Sequence, residues 1–390
     1  MEKVRLGIIG VGSMGAPVSQ LLALEKKCSE IEVTAICDNS EERRQWAAKT
    51  YEGMDIAIFA EAEELMKSGL VDAVYIAVPH YDHPILAMKA FEYGLHVMLE
   101  KPAGVYTKIV RQMNEAAEKA GVKFGMMFQS RLDPYFKKVK ELLDSGRFGQ
   151  IRGVTWLVSS WYRSQQYYDS GSWRATWAGE GGGVLLNQCP HNLDVLQWLC
   201  GMPVEISATC SVAQWHDVEI EDDVVATFKY ANGALGTFIT STGICPGSNR
   251  LEIATDKGTI IMDNGDVIVH EIDKPLQEYA NQGSIVPRER ITTAKYTFYN
   301  EKVAGHCIML NAFADAILHG GELVANGYEG INSLTLSNAM YLSDWTGKKI
   351  TLPIDEDLFL EELNKRRATS KHKEVVASYG DASWLFQKKQ

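Results

Sequence analysis

The sequence predicts a two-domain α/β protein, with a doubly wound parallel sheet first and a largely antiparallel sheet in the second domain. Apolar, strand-like runs alternate with helical patterns over about the first third of the 390 residues, which predicts the parallel sheet. After about Gln150 the strand-like runs follow one another across short Gly or Asn turns, which predicts antiparallel pairing. We therefore place the domains at residues 1–128 and 129–354, followed by a tail of unknown role at 355–390.

Strands of the first domain are predicted from apolar runs that fit burial on both faces. These runs are residues 4–9, 32–37, 73–78, 96–100 and 122–128. Helical spacing is found at residues 14–26, 40–49, 83–93 and 108–120, and residues 61–67 fit a shorter helix. Strands of the second domain are predicted at residues 151–159, 204–210, 224–230, 233–241 and 250–254. The tail fits a helix at residues 358–367.

Charge and cysteine content limit the partners and the compartment. A formal net charge of -11 argues against nucleic acid and anionic membranes, and favours a small-molecule ligand. The 7 cysteines are scattered and form no Cys-x-x-Cys pair, which is typical of reduced thiols. The sequence also shows no signal-like segment and no apolar run of roughly 18 residues. We expect a cytoplasmic protein.

The glycine pattern Gly10-Val11-Gly12-Ser13-Met14-Gly15 follows a predicted strand and opens a predicted helix. In this context Gly10 allows a tight turn, Gly12 lets the backbone approach a pyrophosphate, and Gly15 allows close packing of helix and sheet. Unpaired N–H groups at the start of the helix, around Ser13 and Met14, would bind the anion. The pattern predicts a Rossmann dinucleotide site.

Asp38 ends the second predicted strand, where its carboxylate can bind both ribose hydroxyls and repel a 2′-phosphate. This position favours NAD over NADP. Arg43 and Arg44 follow on the next helix, and either could reach a phosphate, so NADP stays open. The alternative for both arginines is a solvated helix face.

Two loops at strand ends are expected to border the cofactor, because ligands of open α/β sheets bind at the carboxyl ends of strands. One contains Glu100, Lys101 and Pro102, and the other runs from Pro79 to His83. We assign Pro79, His83, Glu100 and Lys101 to the cofactor site. His80, Asp82 and His83 resemble metal ligands, but a loop beside a cofactor is the favoured interpretation, and no metal is expected.

The segment from Gly179 to Asp194, GEGGGVLLNQCPHNLD, combines glycines with polar residues at helical spacing. Proline lacks an N–H and is tolerated only in the first turn of a helix, so Pro190 predicts a helix that starts near Asn187, a good N-cap. His191 then lies close to the helix mouth. The preceding glycines would let the backbone approach a nicotinamide or sugar ring.

The chain resembles the Gfo/Idh/MocA family (glucose-fructose oxidoreductase, inositol dehydrogenase, rhizopine catabolism) over about residues 4–350. Three motifs in the same order carry this resemblance: the glycine pattern of residues 10–15, the Glu100-Lys101-Pro102 turn, and the segment from Gly179 to Asp194. The resemblance implies a Rossmann domain followed by an α/β domain with a large, mostly antiparallel open sheet. A face of that sheet commonly forms homo-oligomers and borders the substrate. The resemblance also implies NAD(P)-dependent oxidation or reduction of a secondary alcohol of a sugar, glycoside or cyclitol.

The resemblance implies Lys101 and His191 as the catalytic pair. Alcohol oxidation removes a hydroxyl proton while hydride leaves carbon, and either a histidine or a lysine of lowered pKa can take that proton. The sequence leaves open which residue does so. Many family members have aspartate where this chain has Asn187, which cannot act as a base and would orient a substrate hydroxyl. Asp194 is expected to orient substrate or to lie on the helix surface.

Aromatic residues are dense in one stretch of the second domain. They are Trp156, Trp161, Tyr162, Tyr167, Tyr168, Trp173 and Trp177. Some are expected to stack on a sugar or a flat aglycone, and others to build the sheet. Arg163, Tyr167 and Arg174 are the candidates for substrate specificity. Family branches with a similar Ser-Trp-Arg segment before Gly-Gly-Gly and Asn-Gln suggest a pyranoside oxidised to a ketone at C3.

Three functions fit the sequence. The leading one is an NAD-dependent sugar or glycoside dehydrogenase, with inositol as an alternative substrate. The second is a hydrolase or lyase that retains NAD, oxidises C3 transiently and expels the aglycone. The third is a non-catalytic sugar or dinucleotide sensor, against which the presence of Lys101 and His191 argues.

Overall fold

A parallel sheet forms the centre of the first domain in the computed structural model, which describes residues 2–298 and 305–371. Its strands are β1 (Val4–Ile9), β2 (Ile31–Cys37), β3 (Ala57–Phe59), β4 (Ala73–Ile76), β5 (His96–Leu99) and β6 (Phe124–Met126). The spatial order β3-β2-β1-β4-β5-β6 reverses direction beside β1, as expected of a doubly wound sheet. Every residue of β4 is buried, which explains its continuous apolar sequence.

The helices of the first domain follow the predicted pattern with shifted ends. They are α1 (Gly15–Ala23), α2 (Glu41–Thr50), α3 (Ala62–Lys67), α4 (Asp82–Glu92) and α5 (Thr107–Ala120). Ser40 caps α2 by accepting a hydrogen bond from the Arg43 N–H, and Gly121 ends α5 with a left-handed φ of 66°. The parallel sheet predicted from the sequence is confirmed, with β3 as an additional strand.

The second domain contains a nine-stranded sheet. Its strands are β7 (Ile151–Val158), β8 (Glu205–Val212), β9 (Glu221–Lys229), β10 (Leu235–Ser241), β11 (Asn249–Thr255), β12 (Gly258–Asp263), β13 (Asp266–Ile272), β14 (Ile291–Thr297) and β15 (Ile350–Thr351). Their order is β14-β13-β12-β11-β7-β10-β9-β8-β15. Within the described residues, neighbouring strands are antiparallel except for the parallel pair β7 and β10, so the mostly antiparallel prediction is confirmed.

Helices cover one face of this sheet and leave the other open. The helices after the first domain are α6 (Pro134–Asp144), α7 (Gln165–Asp169), α8 (Pro190–Cys200), α9 (Leu276–Asn281), α10 (Gly305–Leu318), α11 (Gly330–Thr346) and α12 (Glu356–Thr369). Trp156 and Phe238 are fully buried on the covered face, where α11 packs against β8 and α8. On the open face, Val225 and Leu235 are 46% and 64% exposed. The period-two alternation of these strands follows from this one-sided burial.

The described part of the tail packs on the body of the protein. Helix α12 is longer than the predicted 358–367 helix, and Asp355 caps it by accepting from the Leu358 N–H at 2.9 Å. Phe359 is buried and stacks on Trp345 at 5.3 Å. Residues 372–390 of the predicted tail lie outside the described residues. Across residues 2–298 and 305–371, no helix has the length and apolarity that a bilayer span requires.

Candidate active site

The loop between β1 and α1 leaves open space at its central glycine. Gly10 has a φ of +88°, and a Cβ there would collide with the Ala77 carbonyl. A Cβ on Gly15 would collide with the Gly10 carbonyl, so this glycine is needed for the packing of α1 on β1. A Cβ on Gly12 would meet nothing within 4 Å. The loop therefore fits a pyrophosphate at Gly12, with Ser13 and Met14 preceding the first turn of α1.

Asp38 lies directly beside this loop. Its carboxylate accepts hydrogen bonds from the Val11 N–H and the Ser40 N–H, both at 2.9 Å. The Arg43 guanidinium donates to the Val11 carbonyl, with Nε at 2.7 Å, and covers the Trp46 ring at 4.8 Å. A carboxylate has further lone pairs, so Asp38 can still accept from ribose hydroxyls at this edge of the loop.

Arg44 does not reach toward the loop as Arg43 does. Its guanidinium donates to the backbone carbonyls of Asp38 and Asn39 at 2.9 and 2.8 Å. Both arginines are thus held by backbone oxygens on the same side of the dinucleotide loop.

Glu100 and Lys101 follow β5 and point in different directions. The Glu100 side chain is 4% exposed and accepts a hydrogen bond from the Tyr75 hydroxyl at 2.6 Å. Burial raises the pKa of Glu100, but the nearby His306, the Tyr75 hydroxyl and the charge of Lys101 outweigh it and lower the pKa to about 2. Glu100 is therefore a buried anion, bound by the Tyr75 hydroxyl and, at 3.2 Å, by the Lys101 backbone N–H.

The Lys101 side chain extends from the first domain and contacts the second. Its Nζ donates to the Asn187 backbone carbonyl at 3.0 Å, and the Lys101–Pro102 peptide is cis. Burial lowers the pKa of Lys101, and the positive charges of Arg174 and Arg163 lower it further. The negative charge of Glu100 acts in the opposite direction. A lysine in this environment is suited to lose its proton and act as a base.

The loop after β4 is fixed by two buried histidines. His83 is 1% exposed, and its ring nitrogens face the Pro102 and Val78 carbonyls at 2.6 and 2.8 Å. His83 therefore joins the two strand-end loops, and both of its ring nitrogens are engaged by the protein. Pro79 is half-buried, and its carbonyl accepts from the Asp82 N–H at 3.0 Å.

Potential metal ligands in this loop do not converge. The rings of His80 and His83 lie 6.1 Å apart, and the His80 Nδ1 contacts the Glu180 carbonyl at 3.1 Å. In the part of the chain that the structure describes, no three His, Cys, Asp or Glu side chains form a group that could hold a metal ion.

The helix that carries His191 begins later than predicted. Its first residue is Pro190 and its N-cap is Cys189, whereas the sequence placed the start near Asn187. The prediction of Asn187 as N-cap is wrong because a separate turn precedes the helix, with the Asn187 N–H bonded to the Gly183 carbonyl at 2.9 Å. The Asn187 side-chain amide instead donates a hydrogen bond to the Glu180 carboxylate.

The glycines before this turn are required by protein packing. A Cβ on Gly182 would collide with the Tyr341 hydroxyl, and one on Gly183 with the Glu221 carbonyl. The Glu221 carboxylate also accepts from the Gly183 N–H at 2.9 Å. We expected these glycines to admit a nicotinamide or sugar ring, but the structure fills that space with its own side chains and backbone.

His191 lies in the first turn of α8, and its ring makes no hydrogen bond to the described residues. Its Nδ1 is buried and has no hydrogen-bond partner among residues 2–298 and 305–371, and its ring packs edge-on to Phe128 at 6.2 Å. Burial lowers the pKa of His191 to about 3, and the charge of Lys101 acts in the same direction. The imidazole is therefore neutral near pH 7 and can exchange one hydrogen bond with a ligand.

Asp194 is enclosed by the protein one turn after His191. Its carboxylate is bound by Arg131 through two hydrogen bonds of 2.8 and 2.7 Å, and Gln197 donates a third at 3.1 Å. Asp194 is 0% exposed. Arg131 also contacts Glu329 at 2.7 Å. The pair fixes α8 to neighbouring elements, and this burial separates Asp194 from a direct contact with substrate.

The three predicted specificity residues lie together. Arg174 donates to the Tyr167 hydroxyl at 2.7 Å and stacks over the Tyr167 ring at 4.5 Å. Arg163 lies over the same ring at 5.0 Å. The Arg163 Nε and the Gln188 Oε1 are buried without a hydrogen-bond partner in the described part of the chain. Buried polar atoms without a partner are rare in folded proteins, which marks this cluster as a candidate ligand contact.

Two residues of this region were missed from the sequence. Glu180 is 2% exposed and accepts from the Ala175 N–H at 2.6 Å and from the Asn187 amide. Gln188 donates to the Tyr167 hydroxyl at 3.3 Å. The available signal for Glu180 was a single carboxylate between glycines, a residue type that is rarely buried without a partner.

Comparisons with known proteins agree with this arrangement. Residues 4–128 match the oxidoreductase family with an NAD-binding Rossmann fold, and residues 136–261 match the GFO/IDH/MocA C-terminal domain. The chain is similar to inositol 2-dehydrogenase of Rhizobium meliloti (strain 1021), with 23% identity over 90% of this chain and 99% of that one.

Two further proteins extend the comparison. A 1-carboxy-3-chloro-3,4-dihydroxycyclo hexa-1,5-diene dehydrogenase of Comamonas testosteroni is 29% identical over 59% of this chain, and the match spans 56% of that relative. The crystal structure of the WlbA dehydrogenase from Bordetella pertussis in complex with NADH and UDP-GlcNAcA has a TM-score of 0.75. It is 28% identical and covers 90% of this chain and 100% of that chain. The protein belongs to the GFO/IDH/MocA family of oxidoreductases and has its NAD-binding Rossmann domain.

Proposed function

We propose that this protein oxidises a secondary hydroxyl of a sugar or glycoside with NAD, at C3 of a pyranoside ring. The observation that carries the proposal is the Lys101 Nζ at the end of β5, hydrogen-bonded at 3.0 Å to the carbonyl of Asn187. Asn187 is four residues before His191, and the charge of Lys101 acts on the pKa of His191, so the amine and the imidazole lie near each other.

The chain's own groups have distinct roles in this reaction. NAD, held by the Gly12 loop and Asp38, would supply the acceptor for the hydride of the hydroxyl-bearing carbon. Lys101 in its amine form takes the hydroxyl proton, because burial and the charges of Arg174 and Arg163 lower its pKa. His191, whose pKa is about 3, stays neutral and binds the reacting oxygen or a neighbouring hydroxyl through a single hydrogen bond.

The substrate class rests on the site and on the named relatives. The Arg163 and Gln188 side chains offer a donor and an acceptor, which suit a hydroxylated ring. One relative is named an inositol 2-dehydrogenase, and the similar WlbA structure contains UDP-GlcNAcA. A sugar, a glycoside or a cyclitol is the common chemistry, and C3 remains our proposal from the sequence.

The test is a substrate panel with the purified protein. D-Glucose, methyl and p-nitrophenyl β-D-glucopyranosides, and myo-inositol are incubated separately with NAD and with NADP. We expect absorbance of NADH at 340 nm and a product lighter by two hydrogens. Release of p-nitrophenol without net NADH would instead support the NAD-retaining hydrolase or lyase. No change in any compound would contradict the dehydrogenase proposal.

Assembly is proposed on the open face of the nine-stranded sheet. Val225 and Leu235 are exposed there among alternating buried residues. We expect a cytoplasmic homo-oligomer that uses this face. Sedimentation equilibrium of the wild type and of a Leu235→Lys variant tests the assembly, and a monomeric wild type would contradict it.

A further inference from the structure

Glu180 is the buried charge nearest to the polar side chain of Asn187. One of its carboxylate oxygens accepts from the Ala175 N–H at 2.6 Å, and the other accepts from the Asn187 Nδ2. The Glu180 backbone carbonyl contacts the buried His80 ring at 3.1 Å. Both the backbone and the side chain of Glu180 are thus fixed, which makes it a rigid anchor for its neighbour.

The hydrogen bond to Glu180 determines which atom of the Asn187 amide faces away from Glu180. An amide has a donating NH2 group on one side and an accepting oxygen on the other, and a carboxylate can only accept. Because the Asn187 Nδ2 donates to Glu180, the Asn187 amide oxygen lies on the side of the amide that faces away from Glu180. It has no protein hydrogen bond within residues 2–298 and 305–371.

The backbone of Asn187 has a separate task. Its carbonyl accepts from the Lys101 Nζ at 3.0 Å, so the same residue positions the lysine through its main chain and offers its amide oxygen through its side chain. Burial raises the pKa of Glu180, and the positive charges of Arg174 and Lys101 oppose this rise. The geometry identifies Glu180 as an acceptor, because one of its oxygens accepts from the Ala175 N–H and the other from the Asn187 amide.

We propose that Glu180 is a positioning residue that locks the Asn187 amide so that its oxygen accepts a hydrogen bond from a substrate hydroxyl. The inference rests on the proposed dehydrogenase function. Both Glu180 oxygens are occupied by protein donors, and the Asn187 amide oxygen is the outward acceptor. The substrate class that fits is a polyol with a hydroxyl next to the one that is oxidised.

The test exchanges the two functional groups. Glu180→Gln replaces the pure acceptor by an amide, so the orientation of Asn187 is no longer fixed. Asn187→Asp places a second carboxylate against the buried Glu180, and the repulsion is unfavourable for the charged pair. The double variant E180Q/N187D restores one carboxylate and one amide, with the hydrogen bond reversed.

Turnover is measured with NAD and the panel compound that the wild-type protein oxidises fastest. We expect kcat to fall about 30-fold in Glu180→Gln and about 100-fold in Asn187→Asp, and to recover to within about fivefold of wild type in the double variant. The thermal unfolding midpoint of each variant is recorded with it. A general structural role would give additive losses without recovery of kcat.

Glu221 supplies the matched control. It is a buried carboxylate that anchors the same turn through the Gly183 and Leu185 N–H groups and does not contact the Asn187 amide. Combining Glu221→Gln with Asn187→Asp should give no recovery. The inference on Glu180 is wrong under one outcome of these measurements. In that outcome wild type oxidises a panel compound, E180Q/N187D is folded, and the kcat of E180Q/N187D is no higher than that of Asn187→Asp. If wild type oxidises no panel compound, the proposed function fails first and the inference fails with it.

Discussion

The two glycine-rich segments differ in what occupies the place of a missing side chain. At Gly12 a Cβ would enter open space, whereas at Gly182 and Gly183 it would collide with Tyr341 and Glu221. The first segment therefore leaves room for a ligand at Gly12, between two glycines required by packing, whereas the space at Gly182 and Gly183 is filled by the protein itself. Similar glycine patterns can thus have opposite functions, and ligand contacts of the second segment must come from its side chains.

The largest effect is expected for Lys101, whose side chain contacts the second segment at the Asn187 carbonyl. In Lys101→Met the amine that accepts the proton is lost, so we expect turnover to fall by about 1,000-fold or more. The NADH dissociation constant, measured by fluorescence titration, should change by less than about threefold, since binding of the pyrophosphate depends on the Gly12 loop. Turnover of this variant within tenfold of wild type would contradict the role of Lys101.

The second effect is on stability. Gly183→Ala introduces a methyl group where the Glu221 carbonyl lies, and we expect the free energy of unfolding to fall by about 3 kcal/mol. Urea denaturation measures it, with Gly12→Ala as the matched control, which should change by less than about 0.5 kcal/mol. Equal losses in both variants would remove the distinction between the segments.

The third effect is on cofactor binding. Gly12→Ala fills the open space against which a pyrophosphate would pack, so the NADH dissociation constant should rise about tenfold. Fluorescence titration at fixed ionic strength measures this change. Unchanged NADH affinity in this variant would show that the cofactor does not approach Gly12.

The smallest effect concerns the pH dependence and His191. The amine of Lys101 is the active form for oxidation, so kcat/KM should rise with pH and level off above a pKa that lies below 10.5. His191, with a pKa of about 3, is neutral over this whole range and should add no step near pH 6.5. His191→Asn should lower the rate about fivefold, the effect of one hydrogen bond, without moving the profile. A step near pH 6.5 that disappears in His191→Asn would make His191 the base.

Sequence patterns were sufficient for the first domain because its strands are buried on both faces and its glycine loop is local. The three-residue strand Ala57–Phe59 was missed because so short a run has no detectable period. In the second domain, the hairpin formed by Gly258–Asp263 and Asp266–Ile272 was also missed. These strands extend the sheet through pairing with neighbours, which a short alternating pattern does not specify.

The candidate site was predictable where it depends on residue type and not where it depends on distant partners. Lys101 and His191 stand in local motifs, and the structure places both at the junction of the domains. The enclosure of Asp194 by Arg131 joins residues 63 positions apart, and the contact of His83 with Pro102 joins residues 19 apart. Only folding reveals such pairs, so exposed and enclosed polar residues look alike in the sequence.

The central claim is that hydride moves from a sugar carbon to NAD bound at the Gly12 loop. It is tested by incubating the protein with NAD and a uniformly carbon-deuterated form of the panel compound that it consumes. Mass spectrometry of the nucleotide should show one deuterium in each NADH formed, together with the ketone product. Consumption of the compound without deuterium in NADH would contradict the claim.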